Sequence, residues 1–204
     1  MTISVYALDD PRRDALVRQA RLHFVEEGYA GTKMEPIARE AGVSTATLYA
    51  MFENKAALFA AVIDEASADF AERMAGVKRC TGPARPRLNS FLTAYAEFIS
   101  DPFVRAIFRL VMTERRRFES LAAAFYEQAK QDFGTVLITA LAEMAAQGEL
   151  KLDKPSWAAS QLMGMVEHPL FFVPMVTGDQ VLPARSPASI AEDAVETFLA
   201  RYAA

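Results

Sequence analysis

The strongest constraint on this chain is how its first sixty residues are punctuated. Over residues 12–27, Leu16, Ala20 and Phe24 recur every four positions with Val17 beside them, which is one apolar stripe on a helix. Gly28 follows where a helix C-cap is expected. Thr32 and Glu35 have T-x-x-E spacing, which predicts a capping box and a second helix as far as Ala41. Pro36 in its first turn is expected to delete one early backbone hydrogen bond. Gly42 ends that helix, Ser44 is expected to cap a third over 45–52, and Asn54 a long fourth from Lys55 to about Val77. Helices this short, closed by glycine and reopened by Ser44 and Asn54, make a small independent unit.

The rest of the chain reads as further helices, with no convincing alternating strand, so the predicted fold class is all-α. "CTGPARP", Cys80 to Pro86, reads as an interdomain linker rich in turn formers. Asp101-Pro102 and Ser186-Pro187 each look like a cap followed by a first-turn proline. One long helix is expected over 121–147, stopping at Gly148. Another starts near Pro155 and carries Ala158, Leu162, Met165 and Phe172, with Pro169 expected to kink or break it near His168. The last helix, 187–202, carries Ile190, Ala191, Ala194, Val195, Phe198 and Leu199. That wide apolar face is expected to be exposed in a lone chain and to form a dimer interface with the helix from Pro155.

A chain of 204 residues, 52% hydrophobic and 24% charged, has the make-up of an ordinary globular protein. The start "MTISVYALDDPRR" lacks the basic and apolar segments of a signal peptide. The most apolar window, "PLFFVPMV", is well short of the roughly 20 residues that span a bilayer. A lone Cys80 gives no disulfide framework. A cytoplasmic protein with no membrane partner is the expectation.

The third helix is too small and too polar to be a core element. Ser44, Thr45 and Thr47 lie near its N-terminus, where small hydroxyls reach base edges or phosphates without filling the major groove. Leu48 and Phe52, four apart, are placed to pack inward against Ile37 and Phe24, leaving Tyr49 to project sideways with a hydroxyl suited to phosphate. Thr32 and Lys55 fall at the starts of the second and fourth helices, where free N–H groups and the dipole favour anions.

These residues resemble the DNA-binding domain of the TetR family of bacterial transcriptional regulators. The resemblance runs from Phe24 to Phe59 through Gly28-Tyr29, Thr32, Ile37-Ala38, Ala41-Gly42-Val43-Ser44, Leu48-Tyr49, Phe52, Lys55 and Leu58. A weaker likeness, "FRLVMTERRRFESLAAAFYE" from Phe108 to Glu127, is to one class of that family's C-terminal domains. The resemblance implies about nine helices, a homodimer through the last two, and a small-molecule ligand pocket in the C-terminal domain. It implies a DNA-binding domain over 10–70 with its helix-turn-helix motif at 33–52, and a ligand-binding and dimerisation domain over 81–204. By position, Thr32, Tyr49 and Lys55 match phosphate-contacting places, and Thr45, Ala46 and Thr47 the base-reading face. The expected partners are a double-stranded operator, an apolar or aromatic ligand that releases it, and a second copy of the chain; no cofactor is expected.

Three positions depart from the family pattern. Ala46 stands where glycine or proline is frequent, Met51 where histidine or an aromatic is common, and Ala56 where glutamate usually follows the lysine. The last is expected to leave Lys55 loosely tethered. Charge raises a second difficulty: residues 1–60 carry seven basic side chains against eight acidic ones, within a net charge of −4 for the chain. Binding must then rest on local placement, with Lys33, Lys55 and two helix N-termini on one surface and Arg12 and Arg13 as an arm.

The aromatic and methionine residues of the C-terminal half serve a core in any helical domain, and some of them line a pocket. Phe98, Phe108, Met112, Phe125, Met165 and His168 are the ligand-binding candidates, although the stronger reading of His168 is a satisfied core or dimer-face histidine. His23 is read as a packing residue. The run Arg115-Arg116-Arg117 fans out at about 100° per residue, as a solvated surface or salt-bridging stretch does.

An enzyme is the competing class. The chain has no Glu-x-x-His pair for a carboxylate-bridged metal centre, and its two histidines and one cysteine are far apart. It has no Gly-rich phosphate loop and no G-x-S-x-G. A third class is a dimeric ligand-binding scaffold that has lost DNA binding, to which Met51 and the acidic balance point.

Overall fold

The computed structural model describes residues 10–75 and 82–204. Among these residues there are nine helices and no named strand, as the all-α reading predicts. They divide into two compact units, 10–68 with 110–125, and 69–75, 82–109 with 126–204. The division falls inside helices, so the first unit takes in a segment, 110–125, that the sequence assigns to the second domain.

In the first unit, α1 (Pro11–Gly31) opens under Asp10, whose carboxylate accepts the Arg12 N–H at 2.9 Å. Leu16, Val17, Ala20 and Phe24 are all buried, as their spacing requires. Gly28 leaves helical geometry at φ +70°, a left-handed conformation that suits glycine and turns the chain after residue 27. The expected capping box does not form. The Thr32 hydroxyl instead donates back to the Gly28 carbonyl at 2.7 Å, satisfying the end of α1, and α2 (Met34–Glu40) starts later with Lys33 as an N-cap that makes no side-chain bond. Pro36 is then the third helical residue, where an N–H has no intrahelical partner anyway, so it costs no bond.

Two polar caps appear as read. The Ser44 hydroxyl accepts the Thr47 N–H at 3.1 Å at the head of α3 (Thr45–Met51). The Asn54 side chain accepts the Ala57 N–H at 2.9 Å at the head of α4 (Lys55–Ala75). The stretch 76–81, with Val77 and Cys80, lies outside the described residues. Phe24, Tyr29 and Phe59 form an aromatic cluster with ring centres 5.1–5.8 Å apart. Phe118, which sequence reading left unassigned, completes it at 5.0 Å from Tyr29 and 4.8 Å from Phe59.

The second unit is built on α5 (Ala84–Ser100), which places Pro86 in its first turn instead of in a linker. The Asp101 carboxylate accepts the Phe103 N–H at 2.8 Å at the head of α6 (Pro102–Glu114). Helix α7 runs over 119–146 through a π-helical turn, Lys130–Thr135. Helix α8 runs over 155–177 through a second, His168–Phe172, before Val173–Thr177. Pro169 therefore does not break α8. The wider turn bonds the Val173 N–H to the His168 carbonyl, five residues back, which absorbs the missing donor and the ring.

Helix α9 (Pro187–Tyr202) is capped by Ser186, whose hydroxyl accepts the Ser189 N–H at 3.2 Å. It packs most extensively against α5. Ala191, Ala194, Val195, Phe198 and Leu199 are buried in the chain's own core, so the expectation that this face is exposed for dimerisation is overturned. The apolar stripe of α9 has α5 as its partner. Arg105, only 2% exposed, donates to Asp179 at 2.6 Å, and Arg109 reaches the same carboxylate at 3.3 Å.

Candidate functional site

Helix α3 has two faces of different chemistry. Leu48 (0% exposed) and the capping Phe52 (5%) are turned into the core, while Ser44, Thr45, Ala46 and Tyr49 are exposed, Tyr49 by 47%. Thr47 is half-buried, and its hydroxyl pairs with that of Ser44 at 2.9 Å. The outward face is thus small and polar along one turn, flanked by one phenol. Such a helix can lie in a major groove without steric conflict.

The cations are arranged differently from the sequence expectation. The Lys55 ammonium donates to the carbonyls of Tyr29 at 2.7 Å, Thr32 at 2.9 Å and Ala30 at 3.4 Å, and lies 4.6 Å from the Tyr29 ring centre. Far from being loosely tethered, it caps the end of α1, and a glutamate at position 56 is not needed to hold it. Thr32 is 2% exposed with both its hydroxyl and its N–H given to Gly28, so neither is free for a phosphate. Arg12 is held by Asp10 at 2.7 Å, and the Arg13 guanidinium stands 5.4 Å from the Phe52 ring, so both are engaged at the body of the unit and not arrayed as a free arm. Lys33 and Arg39 are exposed. Arg117 is also drawn in, 4.9 Å from the Tyr29 ring, so the run Arg115–Arg117 adds positive charge to this unit.

His23 bridges two helices. Its ring nitrogens lie 2.7 Å from Glu27 and 2.9 Å from Glu40 at the end of α2. Burial disfavours the charged ring, but the hydrogen bonds to Glu27 and Glu40 outweigh it and raise the pKa above the ordinary histidine value. The packing role read for His23 is thus an ionic one.

In the second unit four helices line an open cavity of about 320 Å³. Its walls are Tyr95, Phe98 and Ile99 from α5, Phe108 from α6, Tyr126, Ala129, Lys130, Phe133 and Gly134 from α7, and Met163, Glu167 and Phe171 from α8. The rings interlock, with Phe98 4.9 Å from Phe133, Tyr95 5.4 Å from Phe133, and Phe108 5.1 Å from Phe171. Both π turns supply wall residues, Phe133 and Gly134 from one and Phe171 from the other. The wall residues nevertheless keep ordinary three- and four-residue spacing along each helix: Tyr126, Ala129, Lys130, Phe133 and Gly134 on α7, and Met163, Glu167 and Phe171 on α8. The Tyr95 hydroxyl donates to Glu167 at 2.6 Å. Burial first, and then the charge of Glu167, push the Tyr95 pKa well above the usual phenol value.

Of the six ligand candidates, the cavity contains Phe98 and Phe108. Met112 is 64% exposed and Phe125 is 7% exposed within the first unit. Met165 lies midway between the cavity-facing Met163 and Glu167, on the opposite face of α8 along an outer groove, and His168 is exposed with its ring 5.8 Å from that of Phe172. Tyr126, Lys130, Glu167 and Phe171 were missed. Glu167 was the findable one, a lone carboxylate in the apolar run "MGMVEHPLFF".

The outer groove, about 580 Å³, lies along α8 and α9 and is lined by Trp157, Gln161, Gly164, Met165, Phe198, Arg201 and Tyr202. Trp157 is 62% exposed there. No helix among the described residues is by itself long and apolar enough to cross a membrane.

A helix-turn-helix unit followed by a larger helical unit with an aromatic cavity is the build of a DNA-binding regulator of transcription. Residues 16–62 match the family described as bacterial regulatory proteins, tetR family, and residues 86–204 match the AefR-like transcriptional repressor C-terminal domain. The chain belongs to the TetR family; it is a DNA-binding transcriptional regulator and not an enzyme. A regulator from Mycolicibacterium smegmatis, the HTH-type transcriptional activator FasR, is 34% identical over 90 residues, 44% of this chain and 41% of that protein. The chain therefore matches less than half the length of that curated relative. Among solved structures, a TetR-family regulator from Mesorhizobium loti is 25% identical with a TM-score of 0.76, covering 95% of this chain and 97% of that one. The flavonoid-responsive regulator FrrA is 30% identical with a TM-score of 0.66, covering 94% and 97%.

Proposed function

We propose that this protein is a cytoplasmic repressor that binds a palindromic operator as a homodimer and leaves it when a small aromatic ligand enters the second unit. The observation that carries the reading is the pairing of an outward α3 face of Ser44, Thr45, Ala46 and Tyr49 with a four-helix cavity of about 320 Å³ walled by aromatic rings. The cavity is at the small end of the roughly 300–1,000 Å³ typical of ligand sites, which suits a molecule of one or two rings. FrrA, described as flavonoid-responsive, supports an aromatic ligand.

In this reading Thr45, Ala46 and Thr47 face the bases, while Ser44, Tyr49 and Lys33 position the helix on phosphates. Lys55 and Thr32 act through the fold, holding the end of α1. The dimer forms through the exposed groove of α8 and α9, with Trp157 and Met165 at its centre, and not through the buried stripe of α9. Ligand binding biases the tilt of α4, whose N-terminal end carries the reading unit, and so the spacing of the two reading helices.

A second reading is a dimeric ligand-binding protein that does not bind DNA. The engagement of Lys55, Thr32 and Arg12 with protein groups favours it. A gel shift with the region upstream of the protein's own coding sequence separates the two: a retarded band that the unlabelled fragment competes away supports the regulator, and no band at micromolar protein supports the scaffold.

A further inference from the structure

The cavity walls leave one charge unanswered. Glu167 ends the α-helical part of α8, just before its π turn, and its carboxylate lines the cavity. One of its oxygens accepts the Tyr95 hydroxyl at 2.6 Å. Among the described residues, none forms an ion pair with it. Lys130, the cation among the lining residues, is turned to Glu127 at 2.9 Å.

A carboxylate against apolar walls keeps its desolvation cost until a donor reaches it. Tyr95 meets part of that demand and, being held firmly protonated, remains a donor. The carboxylate's remaining lone pairs still have room for a hydrogen bond or an ion pair. A ligand that presents an O–H or N–H to Glu167 gains a charge-assisted bond. A ligand that presents a carboxylate meets a like charge across the same short distance.

We propose that Glu167 determines which ligands this cavity accepts: aromatic molecules of one or two rings whose polar end is a hydrogen-bond donor, a phenol or an ammonium, and not a carboxylate. This rests on the cavity being the ligand site. A purely structural Tyr95–Glu167 staple between α5 and α8 predicts no such ranking.

The test is calorimetric titration of the full chain with para-phenylphenol, para-phenylbenzylamine and para-phenylbenzoate, repeated with the matching naphthalene series. The phenol and the amine are expected to bind at least about tenfold more tightly than the carboxylate. The order of those two identifies which donor the site prefers. In Glu167→Gln the amine should lose about tenfold, the carboxylate should gain, and the phenol should change least, because the amide oxygen still accepts. A gain for the carboxylate cannot arise from unfolding. Equal affinity for all three heads, or an unchanged ranking in Glu167→Gln, overturns the role of Glu167 while leaving the cavity as a ligand site. No binding of either series overturns both.

Discussion

The Lys55 ammonium donates to the Tyr29 carbonyl at 2.7 Å and lies 4.6 Å from the ring centre of the same residue. With the Thr32 carbonyl at 2.9 Å, this cation closes the end of α1 where the left-handed Gly28 has turned the chain. Lys55→Ala should therefore destabilise the first unit by about 1–3 kcal/mol, since charged hydrogen bonds to buried carbonyls are lost. Urea unfolding monitors this. Operator affinity should fall with it while the dependence on salt keeps its slope. A slope reduced by about one unit at unchanged stability would show that the ammonium pairs with a phosphate.

Lys33 should behave in the opposite way. It is exposed and makes no cap bond at the start of α2. Lys33→Ala is expected to weaken binding to all sequences alike and to lower the salt slope by about one unit, with no change in stability. Thr47→Ala keeps the Ser44 cap, because that bond uses the backbone N–H of residue 47. It should alter preference at one or two base positions, read by selection from random duplexes.

His23 makes the first unit sensitive to pH. Its folded pKa is raised because Glu27 and Glu40 outweigh the effect of burial. The stability this contributes is fully present below the unfolded value of 6.5 and is lost as pH rises through the folded pKa. The urea midpoint should fall as the pH rises above 6.5, and His23→Gln should flatten that part of the profile. A midpoint that instead rises as the pH climbs toward 6.5 and is flat above it would show that desolvation governs the ring.

Phe198 and Trp157 separate core from interface. Phe198 borders the α8–α9 groove but is only 2% exposed, so Phe198→Glu buries a charge and should cost roughly 4 kcal/mol or more, unfolding the second unit. Trp157→Glu, on a side chain that is 62% exposed, should leave the melting temperature of the second unit within a few degrees and yield monomers by light scattering. A folded, dimeric Trp157→Glu protein would move the interface elsewhere.

Much of this fold was legible in the sequence because its signals are local. Ser44, Asn54, Asp101 and Ser186 cap helices where spacing placed them, and Leu16, Ala20 and Phe24 are buried at their four-residue interval. What was not legible depends on partners distant in sequence. The Thr32 hydroxyl had two possible partners, an N–H ahead to accept or a carbonyl behind to donate to, and tertiary packing chose the Gly28 carbonyl. The stripe of α9 looked like an interface because periodicity reports which face is apolar and not which helix covers it. The cavity walls of α7 and α8 follow regular helical spacing, Tyr126, Lys130 and Phe133 on one and Met163, Glu167 and Phe171 on the other, with Met165 on the opposite face. Periodicity marks such a stripe but does not tell whether it faces a void or a neighbouring helix.

Sequencing the genomic fragments that the purified protein retains, and footprinting the enriched site, shows whether two copies of α3 read one operator. Two inverted half-sites are expected, centred about one helical turn or a multiple apart, roughly 34–36 Å per turn, with protection extending symmetrically about the dyad. Retained fragments that share no inverted repeat, or a footprint without two-fold symmetry, would contradict that arrangement.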